Sequence, residues 1–223
     1  MFGGVDLIGS TIQGIIFDMD NTLLQSRIDF GAMKRDVYTF LQAEGFLAPD
    51  LTLTEYTTSM LIEQAKRQGL DAARYEETMR ITRQHEIVGM SDASLEPEAE
   101  WLLSELEGDY VLAVVTNNAE SAAMEALTRT RIASRFQLIV GRESMTEMKP
   151  GPSGYQEVVK RTGIPAEHWL SIGDSWIDAK GSIDAGIRFV GYQTKDEDLE
   201  SRGIEPIARL TRLSQLLDTI RAV

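Results

Sequence analysis

The sequence predicts an α/β fold in which a parallel sheet is covered by helices on both faces and a helical module is inserted after the first strand. Three observations predict it. Ile15-Ile16-Phe17 is too brief for a helix and rich in β-branched and aromatic residues, so it reads as a buried strand. From about residue 25 to 94 the patterning is helical, with no convincing strand. From Leu95 onward short apolar runs alternate with helical segments, the pattern of βαβ units in a doubly wound sheet.

In chain order, residues 1–12 carry glycines without periodicity and read as a loosely held lead-in. The first strand gives out at Asp18, and Leu24 marks where the chain leaves for the helical module. There, residues 31–44 set Met33, Val37, Phe40 and Leu41 at spacings of three and four, one apolar helical face. Residues 54–68 repeat the pattern with Tyr56, Met60, Leu61 and Ala65, Thr54 serving as N-cap and Gly69 as the stop. Residues 71–88 align Tyr75, Met79, Thr82 and Glu86. A helix over 97–106 has Pro97 in its first turn and Gly108 behind it. Four more strands are expected at 111–115, 136–140, 169–172 and 187–192, with helices over 119–130, 153–162 and a short one through Ala185. The tail holds an apolar piece near 204–210 and a closing helix over 213–220, and Asp196-Glu197-Asp198 reads as a solvated loop. The expected division is a core of residues 1–24 and 95–223 and an inserted helical domain of 25–94.

Composition narrows the function. With 223 residues, 43% hydrophobic and 26% charged, the chain is long enough to bury a sizeable core. A net charge of -13 disfavours nucleic acid and anionic membranes, whose phosphates the field repels, so a phosphate ligand needs local cations or a metal. The absence of cysteine excludes disulfides, thiolate metal sites and cysteine nucleophiles. No apolar run approaches the ~18 residues of a membrane span, and no basic stretch precedes an apolar one at the N-terminus. A soluble, cytoplasmic protein is expected.

The strand ends carry the chemistry. In a doubly wound sheet ligands bind outside the carboxyl ends of the strands, which brings together Asp18 and Asp20, Thr116 and Asn117, Asp174 and Asp178, with Lys149 in the loop leading toward the fourth strand. Singly, each has an ordinary reading: a polar strand exit for the aspartates, a strand-end hydroxyl for Thr116, a solvated lysine for Lys149, a helix cap for Asp178. Together, four carboxylates call for a hard divalent cation with oxygen ligands, and Mg²⁺ suits a site that also takes a substrate phosphate. Asp18 is the candidate nucleophile toward phosphorus and Asp20 the candidate proton carrier. Thr116, Asn117 and Lys149 would hold phosphoryl oxygens, Asp174 would complete the metal shell, and Asp178 would orient water or Lys149.

Asp18-Met-Asp20-Asn-Thr22, Val-Val-Thr116-Asn-Asn, Met-Lys149-Pro and Gly-Asp174-Ser-Trp-Ile-Asp178 resemble, in order, the four motifs of the haloacid dehalogenase superfamily, over Ile15 to about Tyr192. The resemblance implies a Rossmann-like core with strand order 5-4-1-2-3 and a mobile cap formed by the helical insertion. It also implies a Mg²⁺-dependent aspartyl-phosphate mechanism, with metal held by Asp18, Asp174 and the backbone carbonyl of Asp20. Asp20 points to the capped phosphatase branch, which is similar to phosphoglycolate phosphatase and β-phosphoglucomutase, because dehalogenases lack this second acid. Asn21 departs from the family pattern where glycine is common, and so does Glu98 after Pro97.

The expected activity is therefore hydrolysis of a small phosphate monoester, phosphoglycolate-like, by a monomer or homodimer without nucleic-acid or membrane partners. The alternatives are a phosphomutase and a non-enzymatic phospho-acceptor or binding domain. No P-loop pattern is present. In the insertion, Arg27, Lys34, Arg35, Arg80 and Arg83 are candidates to meet an anionic leaving group, although each also reads as an exposed helical residue, and His85 reads as structural. The tryptophans at 101, 169 and 176 are expected in the core, Trp176 close to the site.

Overall fold

The structure, a computed structural model, describes residues 11–223, so the expected lead-in lies outside the described residues except for its last two. β1 (Gly14–Phe17) leads through β2 (Leu24–Gln25) into α1 (Phe30–Ala43), α2 (Thr58–Arg67) and α3 (Ala72–Met90), and the chain returns through β3 (Ser94–Leu95). There follow α4 (Ala99–Leu106), β4 (Val111–Val115), α5 (Glu120–Arg129), β5 (Leu138–Val140), α6 (Ser153–Thr162), β6 (Trp169–Gly173) and α7 (Trp176–Asp184). The chain closes with β7 (Arg188–Tyr192), α8 (Asp196–Glu200), β8 (Ala208–Leu210) and α9 (Leu216–Ala222).

Six strands form one parallel sheet in the order β5-β4-β1-β6-β7-β8. The five expected strands hold their expected relative order. The sixth, β8, falls in the apolar piece near 204–210, where three residues with a single neighbouring strand are too few to show alternation. The other difference is the antiparallel pair β2–β3, where Leu24 faces Leu95 and Gln25 faces Ser94 at the root of the insertion.

β1 is central and buried on both faces, which explains its unbroken apolar run. Ile15 and Phe17 join a cluster with Leu102, Leu103, Ala126 and Leu216, from α4, α5 and α9 on one face, while Ile16 packs toward Tyr155 and Val158 of α6 on the other. A Cβ on Gly14 would sit 2.3 Å from the Trp169 ring, so glycine lets that indole close against the central strand.

The insertion has its own apolar centre of Val37, Leu41, Leu61, Ile62, Ala65 and Met79, and Met148, from the loop between β5 and α6, inserts among them. The helical faces have the expected phase, with Met33, Val37 and Leu41 buried. Several local expectations are corrected. Thr57 rather than Thr54 caps α2, its hydroxyl accepting from the Met60 amide at 3.2 Å, because Thr54 is taken up in a 3-10 turn, Leu53–Glu55. Pro97 precedes α4, which starts only after Glu98 takes a left-handed φ of 68°. Trp101 is 46% exposed, because α4 turns Leu102, Leu103 and Leu106 to the core instead. The acidic run at 196–198 is the start of α8 rather than a loop, held down by buried Leu199. Among the described residues no helix is long and apolar enough to cross a membrane.

Candidate active site

Strand order reverses at β1, since the chain proceeds to β4 and β5 on one side and to β6, β7 and β8 on the other. The crevice beyond such a point is where doubly wound sheets bind ligands. A cavity of about 370 Å³ lies there. All seven sequence-predicted site residues line it: Asp18, Asp20, Thr116, Asn117, Lys149, Asp174 and Asp178. The inserted helices supply its other wall, including Met33, Lys34, Met79 and Glu86.

Lys149 organises the floor. It is 1% exposed, and its ammonium donates to Asp18 Oδ1 at 2.6 Å, to Asp178 Oδ1 at 2.6 Å and to the Val115 carbonyl at 2.9 Å, so all three hydrogens are used. Burial would lower its pKa, but the carboxylates of Asp178 and Asp18 outweigh burial and raise it well above the ordinary lysine value. The Lys149–Pro150 peptide is cis. Asn117 fixes the lysine's backbone from both sides, accepting from the Lys149 amide at 2.8 Å and donating to its carbonyl at 2.9 Å. Asn117, expected at the phosphoryl oxygens, thus spends its side-chain oxygen and one amide hydrogen on the Lys149 backbone while still lining the cavity. The Thr116 hydroxyl oxygen accepts from the Asn118 amide at 3.2 Å.

The two acids of the first motif have unlike surroundings. Burial, and then Asp178, raises the Asp18 carboxyl well above the ordinary range, and Lys149 opposes the shift without cancelling it. Burial also raises Asp20, offset by the nearby Ser26 hydroxyl and by a hydrogen bond from Asn118. The Asn118 side-chain amide donates to Asp20 Oδ2, whereas Asp20 Oδ1 and the Ser26 hydroxyl are buried without a hydrogen-bond partner. Asp174 is raised to about 7, by burial first and Asp178 second, with a hydrogen bond from Asn21 opposing. Asn21 sits at φ 57°, in the left-handed region where asparagine is better tolerated than most residues, which explains how it replaces the common glycine.

Asp178 makes both kinds of contact that the sequence left open, one to Lys149 and one at a helix start. One oxygen holds Lys149, while the other accepts from the Ser175 amide at 3.2 Å and from the Ser175 hydroxyl, closing a capping box at the start of α7. Gly173 makes room for it, since a Cβ there would lie 2.6 Å from the Asp178 Cβ. Gly173→Ala is expected to cost about 2 kcal/mol by overpacking and to lower turnover by displacing the lysine's anchor. Urea denaturation beside a phosphatase assay checks this, and unchanged stability with unchanged turnover would contradict it.

Asp18, Asp174 and Asp178 each offer an oxygen within 4.8 Å of the others. This hard-oxygen cluster fits Mg²⁺: burial first and the Asp178 carboxylate second disfavour the charged forms of Asp18 and Asp174, and a bound cation would offset both. The Asp20 side chain lies outside the cluster, and Asp178, though inside it, already has both oxygens engaged.

Other residues at the site escaped sequence reasoning. Asn118, Ser175 and Glu86 meet the acids or their neighbours, and Arg142 is a buried arginine that lines the cavity. Glu86 lies on the expected apolar stripe of α3, a displaced polar residue that was the available signal. Of the five insertion cations, only Lys34 lines the cavity. Arg80 pairs with Glu77 at 2.5 Å, Arg27, Arg35 and Arg83 are exposed, and His85 meets Asp36 at 2.8 Å. Trp176 stacks under Arg202 at 4.3 Å and packs with Ala179, Phe189 and Leu199, away from the cavity lining.

The central strand of a parallel sheet thus ends in two buried acids that share a cavity with a lysine and two further aspartates. The profile of the haloacid dehalogenase-like hydrolases matches residues 15–192. The chain is 28% identical over 182 residues to a phosphoglycolate phosphatase of Cereibacter sphaeroides, covering 79% of this chain and 83% of that protein. It is 26% identical over 218 residues to the pyrophosphatase PpaX of Halalkalibacterium halodurans, covering 94% and 97%. Its fold matches a haloacid dehalogenase-like hydrolase from Streptococcus pneumoniae, with a TM-score of 0.63, 24% identity and coverage of 93% and 98%. CbbY from Rhodobacter sphaeroides, solved in complex with phosphate, matches with a TM-score of 0.64, 21% identity and coverage of 92% and 96%.

The chain belongs to the haloacid dehalogenase-like hydrolase family. It is an enzyme of the phosphatase branch that these relatives represent.

Proposed function

We propose that this hydrolase removes the phosphoryl group from a small phosphorylated metabolite, phosphoglycolate-like, in a Mg²⁺-dependent reaction through an aspartyl-phosphate on Asp18. The unlike surroundings of Asp18 and Asp20 carry the proposal. Asp18 is held by Lys149 and faces the carboxylate cluster, as a positioned nucleophile needs, while Asp20 is buried against a neutral amide and keeps one oxygen free. The names of the relatives, a phosphoglycolate phosphatase and a pyrophosphatase, support the substrate class.

In the first step an Asp18 oxygen bonds to phosphorus as the bond to the leaving oxygen breaks, and Asp20 gives its proton to that oxygen. In the second, Asp20 takes a proton from water as the water oxygen attacks phosphorus and the bond to Asp18 breaks. Lys149 fixes the orientation of Asp18, and the Thr116 hydroxyl, whose oxygen is already an acceptor, turns its proton toward a phosphoryl oxygen. Asp18 and Asp174, with the Asp20 carbonyl, would hold Mg²⁺, which when bound supplies charge stabilisation to the phosphoryl oxygens.

The insertion, residues 25–94, acts as a cap over a core of 1–24 and 95–223, with the β2–β3 pair at its root as the hinge. A cytoplasmic enzyme acting alone or as a homodimer on a small molecule, without nucleic acid or membrane, completes the proposal.

Turnover of phosphoglycolate is expected with Mg²⁺ and lost on chelation; turnover that survives chelation would contradict the metal dependence. Protons compete for the same oxygens. With Asp174 titrating at about 7 when folded against an ordinary 3.8, the folded chain binds the extra proton between those values. Its contribution to the stability of the metal-free protein is therefore greatest on the acid side and falls as pH rises from about 4 through about 7. Apparent Mg²⁺ affinity should weaken as pH falls below about 7, by at least about tenfold per unit, since the raised Asp18 carboxyl competes for a proton as well. Thermal unfolding of chelated and Mg²⁺-loaded protein at pH 5 and pH 8 checks both signs: Mg²⁺ should raise the midpoint far more at pH 8.

A further inference from the structure

Three cations line the cavity among the described residues: Lys34, Arg142 and Lys149. Lys149 has spent all its hydrogens, and Lys34 gives two to the carbonyls of Leu53 and Tyr56, at 2.8 and 2.9 Å. Arg142 differs. It is 4% exposed, and its Nη1 donates to Glu86 of α3 and, at 3.4 Å, to the Asn117 carbonyl. Its Nη2 is buried with no hydrogen-bond partner. A buried guanidinium nitrogen left without an acceptor is costly, and the group's geometry suits a carboxylate or phosphate.

The position of Arg142 says which part of a substrate it would meet. Its backbone amide donates to the Asn118 carbonyl at 3.0 Å, and the Asn118 side chain donates to Asp20. Asp20 is the acid beside the leaving oxygen, so Arg142 is fastened to the leaving-group side. Glu86 reaches across from the insertion to orient the guanidinium at Nη1, and the Glu143 carboxylate lies 3.8 Å from its Nε, so Nη2 is the end left over.

We infer that Arg142 is a specificity-determining residue whose Nη2 takes an anionic group on the leaving portion of the substrate, with Glu86 as its positioning partner. This role presupposes the phosphatase chemistry proposed above, and wild-type turnover of 2-hydroxyethyl phosphate, which lacks the second anion, tests that chemistry by itself.

The specificity test compares Glu86→Gln, which keeps the guanidinium, with Glu86→Gln/Arg142→Gln, which replaces the buried pair by two neutral amides. The preference for phosphoglycolate over 2-hydroxyethyl phosphate, as a ratio of kcat/KM, should fall about 30-fold between them, carried mainly by KM. Pyrophosphate, whose leaving group is a phosphate, separates the two anions, since only the one bound by Arg142 loses its preference in the double variant. A ratio that moves less than threefold for both anions overturns the assignment, because a merely structural pair would depress all substrates together. Should the double variant fail to fold, the wild type still decides: glycolate should inhibit competitively at concentrations where ethylene glycol has no effect, and equal inhibition by the two would overturn it.

Discussion

Asp18→Asn is expected to lower kcat by about 10⁵-fold, the scale on which loss of a covalent nucleophile acts, while leaving the fold intact. The amide oxygen can still accept from Lys149, which also keeps Asp178 and the Val115 carbonyl. The variant no longer carries the charge that burial and Asp178 oppose in the native site. Its metal-free thermal midpoint at pH 8 should therefore equal or exceed that of the wild type. Steady-state assays on phosphoglycolate and a melting curve test the two halves together. Native-rate turnover would remove Asp18 as nucleophile, whereas a large drop in midpoint would show that its charge serves the fold.

The second large effect is on stability. Lys149→Met leaves Asp18 and Asp178, both buried, without the cation each approaches at 2.6 Å. Removing one member of a buried ionic group commonly costs 3–5 kcal/mol, because the remaining charge is stranded, and about that loss is expected in urea denaturation under chelation at pH 8. Adding Asp178→Asn should restore part of it, since one stranded charge becomes an amide that still accepts hydrogen bonds from Ser175. A single variant within about 1 kcal/mol of wild type would mean that the carboxyls are already protonated and the lysine is not their counter-charge.

The core and its strand ends were legible in the sequence because buried parallel strands announce themselves twice, by an unbroken apolar run and by the polar residues that terminate it. Ile15-Ile16-Phe17 before Asp18 and Val111–Val115 before Thr116 are both of this kind. β8 and the β2–β3 pair were not, being two or three residues long with no period to read. Chemistry-bearing residues could be named, but not what each one touches. Asn117 sits at a strand end like Thr116, yet its amide turns to the Lys149 backbone. Arg142 reads as a surface residue in any one-dimensional pattern, and only the fold brings Glu86, 56 positions away, to its side. The two departures from the family pattern acquire a cause: Asn21 and Glu98 both stand at positive φ, where glycine is the easy choice. Glu98 is supported there by the Ser214 amide, which donates to its carboxylate at 2.9 Å.

The most direct test of the account is to mix enzyme, Mg²⁺ and excess phosphoglycolate, quench in acid within one turnover, and weigh the peptide that contains Asp18. Mass increased by one phosphoryl group at Asp18, absent from the Asp18→Asn variant, is the predicted result. Full turnover with unmodified Asp18 at every quench time, or the same mass on another residue, would contradict it.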